Sequence, residues 1–297
     1  MIVVAGESLI DLVPLHPEDP LGPLSPRPGG GPYNTAVALG RLGAEAAFCS
    51  RVSTDGFGET LLGGLAAVGV DTSLVQRGPE PTTLAVAAVG PDGSAGYGFY
   101  ADGTADRLFE LPPHLPPRAT ALALGTCSLV LEPGASAYEA LLRRESDRGL
   151  LTLLDPNIRA ALIPDPDAYR ARFRSWLPYV SLLKLSEEDA AWLGGTVEEW
   201  LGAGPRAVVV TRGAAGLSAH TAEGGEYAVP AERVKIADTI GAGDTVNAAL
   251  LRHVPTVSAL SSADWPGVLR YAARAAALTC ARTGAQPPTA EEVRAAS

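Results

Sequence analysis

Lysine is almost missing from this chain: Lys184 and Lys235 are the two present in 297 residues. Neither follows a glycine, so the GxxxxGK[ST] phosphate loop is excluded. Gly29-x-Gly31 is not completed by a glycine at 34, and no other GxGxxG follows a first strand, so a dinucleotide fingerprint is unsupported. HExxH, GxSxG and CxxC are absent as well. The four histidines (His16, His114, His220, His253) are scattered and do not suggest a metal centre. Cys49, Cys127 and Cys280 stand far apart in apolar surroundings and read as buried, reduced thiols. No apolar run reaches the roughly 18 residues of a membrane span. Met1–Gly6 reads as a first strand rather than a signal peptide, which makes the cytoplasm the expected location. A net charge of −10 argues against nucleic acid or an anionic membrane as partner. Any anionic substrate must then be held by local donors. The scarcity of lysine beside plentiful arginine, Ala and Gly reads as compositional bias.

What is present is a rhythm of apolar strands and amphipathic helices. Strands are expected at 2–6, 46–52, 119–125, 150–155, 180–185 and 207–211. Helices are expected at 35–42, 58–68, 135–148, 167–176, 187–193, 243–254 and 265–281, several closed by a glycine. Strands alternating with helices imply a mainly parallel sheet covered on both faces, a three-layer α/β sandwich. Two stretches break the rhythm. Residues 12–30 are rich in proline, and 72–105 contain a hairpin turning at Gly90-Pro91-Asp92-Gly93. In that hairpin Tyr97 and Phe99 share one face, opposite Tyr100. These stretches read as a small β appendage on one domain spanning 1–297.

Three features carry chemistry. Asp11 follows the first strand. Gly29-Gly30-Gly31-Pro32-Tyr33-Asn34 opens a helix. Asp238-Thr-Ile-Gly241-Ala242-Gly243-Asp244 leads into another, where glycines and a helix N-terminus make an anion site. A carboxylate there repels the anion, unless Asp244 takes a proton from a hydroxyl about to attack a phosphoryl group. The plainer reading makes Asp244 a helix cap, Asn34 an N-cap and Asp11 a turn residue. All three features fall at carboxyl ends of strands, where α/β sheets bind ligands.

With these motifs in order and at this spacing, nearly the whole chain resembles the ribokinase-like (phosphofructokinase-B type) carbohydrate kinases. The resemblance implies that Asp244 is the general base. It makes the N–H groups of Gly241, Ala242 and Gly243 an anion hole for the transferred phosphoryl group. Asp11 and Asn34 would hold sugar hydroxyls, with Gly30 and Gly31 giving close backbone approach. Thr211-Arg-Gly213-Ala-Ala-Gly216 resembles the family's nucleotide loop; a simple hairpin turn is the bland alternative. Ser186-Glu187-Glu188-Asp189 stands where similar enzymes have Asn-x-x-Glu. Ser186 is therefore matched to the nucleotide site and Asp189 to magnesium through water, while a capping box fits the same residues. Asp238, with the carbonyls of Ile240, Arg282 and Gly284, matches the family's monovalent-cation site. The implied cofactors are ATP, Mg²⁺ and K⁺, and the implied assembly is a homodimer through a β-sheet lid formed by the appendage.

Within the family, Asp155-Pro-Asn-Ile-Arg159 resembles a stretch of fructokinases and 2-keto-3-deoxygluconate kinases. Arg159 would approach a phosphate or an acidic substrate; its plain alternative is a surface ion pair. Tyr97 to Asp106 and Leu129 to Gly134 look more like fructokinases, with Tyr97 and Phe99 covering the sugar from the lid or else merely packing. The resulting expectation is an ATP-dependent fructokinase. A 2-keto-3-deoxygluconate kinase or a ribokinase-type pentose or nucleoside kinase remains open. So does a non-catalytic sugar-binding regulator, whose support is the Ser186/Asp189 departure.

Overall fold

Short apolar strands followed by one-sided helices can bury both sheet faces only in layers. The computed structural model describes residues 1–16, 18–19, 21–89 and 95–296, and it has this form. In chain order the elements are β1 (Ile2–Ala5), β2 (Leu9–Pro14), β3 (Leu24–Gly29), α1 (Gly31–Arg41), β4 (Ala46–Ser53), α2 (Gly56–Ala67), β5 (Asp71–Gly78), β6 (Thr83–Val89), β7 (Ala95–Tyr100) and β8 (Ala121–Gly125). There follow α3 (Gly134–Asp147), β9 (Leu151–Asp155), α4 (Pro166–Trp176), β10 (Leu182–Ser186), α5 (Glu187–Leu193), α6 (Val197–Ala203), β11 (Ala207–Thr211), β12 (Leu217–Thr221), β13 (Glu226–Val229), α7 (Ala242–His253), α8 (Val257–Ser261), α9 (Trp265–Cys280) and α10 (Ala290–Ala295).

Nine strands form the main sheet in the order β13-β12-β11-β10-β9-β8-β1-β4-β5. Every neighbouring pair is parallel except β11/β12 and β12/β13. Alternate residues of each strand enter opposite cores. Leu153, Leu182 and Val209 pack with Val246, Leu250 and Leu269 from α7 and α9 on one side. Leu154, Leu183 and Val208 pack with Tyr138, Phe173 and Trp176 on the other. After β1 the main sheet grows through β4 and β5 on one side, then restarts at β8 on the other. Between β1 and β8 lies the switch point, where the first loops part and leave a crevice.

The second sheet has four strands in the order β3-β2-β6-β7. Its β2/β6 pair is parallel and the other two are antiparallel. Its extent corrects the expectation for 72–105. Residues 71–78 are not part of it; as β5 they pair in parallel with β4 at the edge of the main sheet. The reason is an ordinary strand–helix–strand unit, in which Leu74 and Val75 pack into opposite cores. The hairpin turn expected at 90–93 lies outside the described residues. Helix α1 also begins earlier than the spacing suggested, at Gly31 with Gly30 as N-cap. Cys49 and Cys127 are buried free thiols, whereas Cys280 is only half-buried.

Candidate active site

The switch point opens into a cleft of about 220 Å³, floored by loops after β1, β8 and β9 and roofed by the small sheet. It brings together Asp11, Gly30, Gly31, Asn34, Tyr97, Phe99, Arg159, Ile240, Gly241, Gly243 and Asp244. Every residue expected to bind the sugar is therefore in one space, drawn from segments as far apart in the chain as Asp11 and Asp244.

Asp244 sits at its centre, in the first turn of α7 and 8% exposed. Its side chain makes no cap; the helix is capped by Gly241, in the left-handed conformation at φ 78°. Asn34 Nδ2 instead donates to Asp244 Oδ2 at 3.0 Å. The cap readings of both residues thus fall, because Asn34 lies inside α1 with its amide turned across the cleft. Burial pushes the Asp244 carboxyl up to about 7. The Asn34 bond pulls it down, the charge of Asp155 adds to the rise, and Lys184 and Arg159 oppose it. A carboxylate near 7 is suited to accept a proton at neutral pH. Replacing Asn34 by Ala removes a hydrogen bond to the charged form, so the acid limb of the rate profile is expected to move upward by about one pH unit. A pH–kcat/KM series on the variant checks this, and an unmoved limb would break the link between Asn34 and Asp244.

On the roof side, burial pushes the Asp11 carboxyl up to about 6, against the pull of Arg159. Among the described residues Arg159 has no ion-pair partner. Its Nη1 donates to Asn157 Oδ1 at 2.7 Å and to the carbonyls of Asn157 and Ile158, which holds the guanidinium at the cleft. Tyr97 and Phe99 stand side by side with ring centroids 6.2 Å apart, while Tyr100 on the opposite face is 67% exposed. A Cβ on Gly31 would lie 2.7 Å from Thr126 Cγ2 and 3.3 Å from Asp244 Oδ1, so only glycine leaves the cleft open there.

The anion loop is partly as expected. The first-turn N–H groups of α7 have no helical acceptor. That of Ala242 is the exception among the three proposed donors, since it turns back to Thr239 O at 3.3 Å. Beside the loop, Asp238 Oδ1 accepts from Ile240 N–H at 3.0 Å and Oδ2 from Gly284 N–H at 2.9 Å. This draws the 238–240 and 282–284 segments together, as a shared cation site needs.

The residues matched to the nucleotide lie farther along the sheet edge. Ser186 and Thr211 are register partners at the ends of β10 and β11. Gly213 (φ 51°) and Gly216 (φ 97°) shape the turn that follows. This turn joins antiparallel β11 and β12, so it is also the hairpin of the plainer reading. Ser186 and Asp189 form a capping box on α5. Asp189 Oδ2 accepts from Ser186 N–H, and Oδ1 from Ile158 N–H at 2.8 Å, so both carboxylate oxygens already bracket the backbone. Glu187 and Glu188 are exposed. Among the described residues no three His, Cys, Asp or Glu form a metal-holding group.

Several cleft residues escaped the sequence reading. Glu7 is buried and accepts hydrogen bonds from the Thr126 and Ser128 hydroxyls; burial raises its carboxyl against their pull. Thr126 has φ 58°, unusual for a β-branched residue and found mainly where surroundings enforce it. Asp155, Asn157 and Lys184 line the floor. A lone lysine inside the apolar run Leu182-Leu-Lys-Leu185 was the available signal.

Known proteins match this chain along most of its length. Residues 1–292 match the pfkB family carbohydrate kinase model. A fructokinase of Rhizobium leguminosarum bv. trifolii is 39% identical over 259 residues, 84% of this chain and 78% of that protein. Fructokinase-1 of Oryza sativa subsp. japonica is 32% identical over 99% of this chain and 95% of its own length. Among solved structures, a fructokinase from Xylella fastidiosa with bound ATP superposes with a TM-score of 0.88 at 28% identity, covering 99% of this chain and 97% of that one. A fructokinase double mutant from Vibrio cholerae O395, in fructose-, ADP- and potassium-bound form, gives 0.87 at 26% identity over the same shares. With an acid near neutrality set between a polar cleft and a helix N-terminus, and with this match along nearly all its length, the chain belongs to the pfkB family of carbohydrate kinases.

Proposed function

We propose that the protein is an ATP-dependent fructokinase. The observation that carries the reading is the buried Asp244 carboxylate, held by Asn34 and facing both the hydroxyl-binding side chains and the N-terminus of α7. Asp11 and Asn34 hold sugar hydroxyls, and Tyr97 and Phe99 cover the ring from the lid. Ser186, Thr211, Gly213 and Gly216 bind the nucleotide at the neighbouring strand ends. Asp244 accepts the proton of the attacking hydroxyl while the N–H groups of the Gly241–Gly243 loop meet the phosphoryl charge. The fructokinase names of the relatives support fructose as acceptor.

Magnesium, when bound with the nucleotide, neutralises phosphate charge and keeps most of its waters. The acidic first turn of α5 suits outer contacts to such waters, with Glu187 and Glu188 freer than the doubly engaged Asp189. Potassium fits the junction of Asp238 and Ile240 with Arg282 and Gly284, supported by the potassium-bound Vibrio relative. The exposed Tyr100 and the open edges of β3 and β7 support pairing of the lid with a second copy.

A second reading rests on Arg159, whose guanidinium borders the cleft and suits the carboxylate of 2-keto-3-deoxygluconate. A panel of fructose, 2-keto-3-deoxygluconate, ribose, glucose and a nucleoside, read by ADP release, separates the two. Fructose is expected to give a kcat/KM at least about tenfold above the others, about 1.4 kcal/mol of discrimination. A preference for the keto-acid would transfer the assignment to it. Sugar-dependent stabilisation without ADP release would replace catalysis with a binding role.

A further inference from the structure

Lys184 stands in the middle of β10, within an otherwise apolar strand. The register Leu182↔Leu153 and Leu183↔Leu154 sets it beside Asp155 on β9. Being in phase with Leu182, it points to the face that α7 covers. There it is 4% exposed, and its Nζ donates to Asp155 Oδ2 at 2.8 Å. Asn247 Nδ2, from the second turn of α7, donates to the same oxygen at 2.7 Å. The bond to Asp155 is the one hydrogen bond Lys184 makes among the described residues, although an ammonium has three donors. The ammonium also lies close to the anion loop: a Cβ added to Gly243 would lie 2.9 Å from Nζ.

Such a buried pair is a poor way to gain stability, because apolar side chains of similar volume do as well. Its position points to a different use. Along the sheet, β10 lies between β1 and β8, which carry the sugar end, and β11, which opens the nucleotide turn. With the nucleotide and sugar placed as proposed, the phosphoryl group crosses the ends of β9 and β10, where Lys184 lines the cleft beside Asp155, Gly243 and Asp244.

We propose that Lys184 is a further catalytic residue, whose ammonium contacts the transferred phosphoryl group together with the N–H groups at the start of α7. This rests on the sugar kinase reading. As the sugar oxygen bonds to phosphorus, its proton passes to Asp244. The bond from phosphorus to the leaving oxygen breaks, and its electron pair leaves with the nucleoside diphosphate. Lys184 stays protonated throughout and lends charge that the single engaged ammonium proton does not use. Asp155 and Asn247 position it. The glycine at 243 is needed because a side chain there would displace it.

The test compares wild type with Lys184→Met and Lys184→Ala, after ADP release by wild type on its best sugar has been established. Lys184→Met is expected to lower kcat about 10²- to 10³-fold, the effect of losing one transition-state donor. The KM for sugar should stay within about threefold, since the loss falls on the transition state rather than on binding. Ethylammonium should restore part of the kcat of Lys184→Ala, and an equal concentration of sodium chloride should not. If Lys184→Met is poorly folded, the Asp155→Asn/Lys184→Met pair removes the unpaired buried acid and serves in its place; this pair should also be slow, with sugar binding intact. A kcat within about threefold of wild type in a folded variant, or a loss explained by sugar binding alone, overturns the proposal. Inactivity of wild type on every sugar would instead overturn the kinase reading beneath it.

Discussion

Asp244→Asn is expected to lower turnover about 10³-fold or more, keep sugar binding, and make the protein more stable above neutral pH. The first effect follows from removing a general base that accepts the attacking hydroxyl's proton. The second follows because the amide keeps an oxygen for Asn34 and the shape of the cleft is unchanged. The third follows from linkage. Burial lifts the Asp244 carboxyl from 3.8 to about 7. A carboxyl raised in the folded state favours folding below its unfolded value, and that contribution is lost as pH rises through about 7. Roughly three pH units at 1.36 kcal/mol each set an upper limit of about 4 kcal/mol, and water in the cleft reduces it toward 2. The asparagine carries no such penalty. The difference in melting temperature between variant and wild type should therefore widen from pH 5 to pH 8. Wild-type kcat/KM should fall tenfold per pH unit below about 7. A variant that turns over near the wild-type rate would remove Asp244 from the chemistry. Equal melting at pH 8 would mean the carboxylate is stabilised by something other than the contacts seen.

The body of the fold was legible because its strands are short apolar runs flanked by glycine-closed helices, and each rule of local structure pointed the same way. What misled was β5. Asp71–Gly78 sets Leu74 and Val75 side by side among polar residues, a pattern that fits an edge strand of either sheet. Only the pairing with β4 decides the question, and pairing is not local. The site divides similarly. Asp244 and Gly241 were visible because a carboxylate conflicts with the anion site that a glycine loop and a helix start make, and Asn34 because it stands in a motif that resembles the family's. Glu7 and Thr126 were hidden, since their significance is a contact across 119 positions. Lys184 was hidden differently: its chemistry was plain, but its partner Asp155 could be found only from the register of β9 and β10. Asp189 shows the reverse case, where the bland capping reading is the one its two backbone bonds fulfil.

Asp155→Asn is expected to destabilise the fold by about 3 kcal/mol at pH 7, with most of that loss recovered by adding Lys184→Met. Removing one member of a buried ion pair strands the other, at about 3–5 kcal/mol; the cleft beside Lys184 places this case at the low end. Asparagine keeps an acceptor for Asn247, so the lost charge is the main change. In wild type, burial works to lower the Lys184 pKa, yet the charge and hydrogen bond of Asp155 leave it raised overall. A raised lysine lends stability that is present below its ordinary range, near 10.5, and lost above it. Without Asp155, burial acts unopposed by that partner and the ammonium's pKa falls. The unfolded chain then binds more protons than the folded one across the window between the two values, so the variant gains stability as pH rises. The variant's gain narrows the gap between wild type and Asp155→Asn from pH 7 to pH 10, a range in which wild type still keeps its raised lysine's contribution, and urea melts at the two values measure it. The double variant, with neither charge, should come within about 1 kcal/mol of wild type at pH 7. Its stability would be restored while its catalysis was not, which separates holding the fold together from meeting a phosphoryl group. A single variant as stable as wild type at pH 7, or a gap unchanged at pH 10, would mean that the pair is solvated and that the ammonium is not held by Asp155.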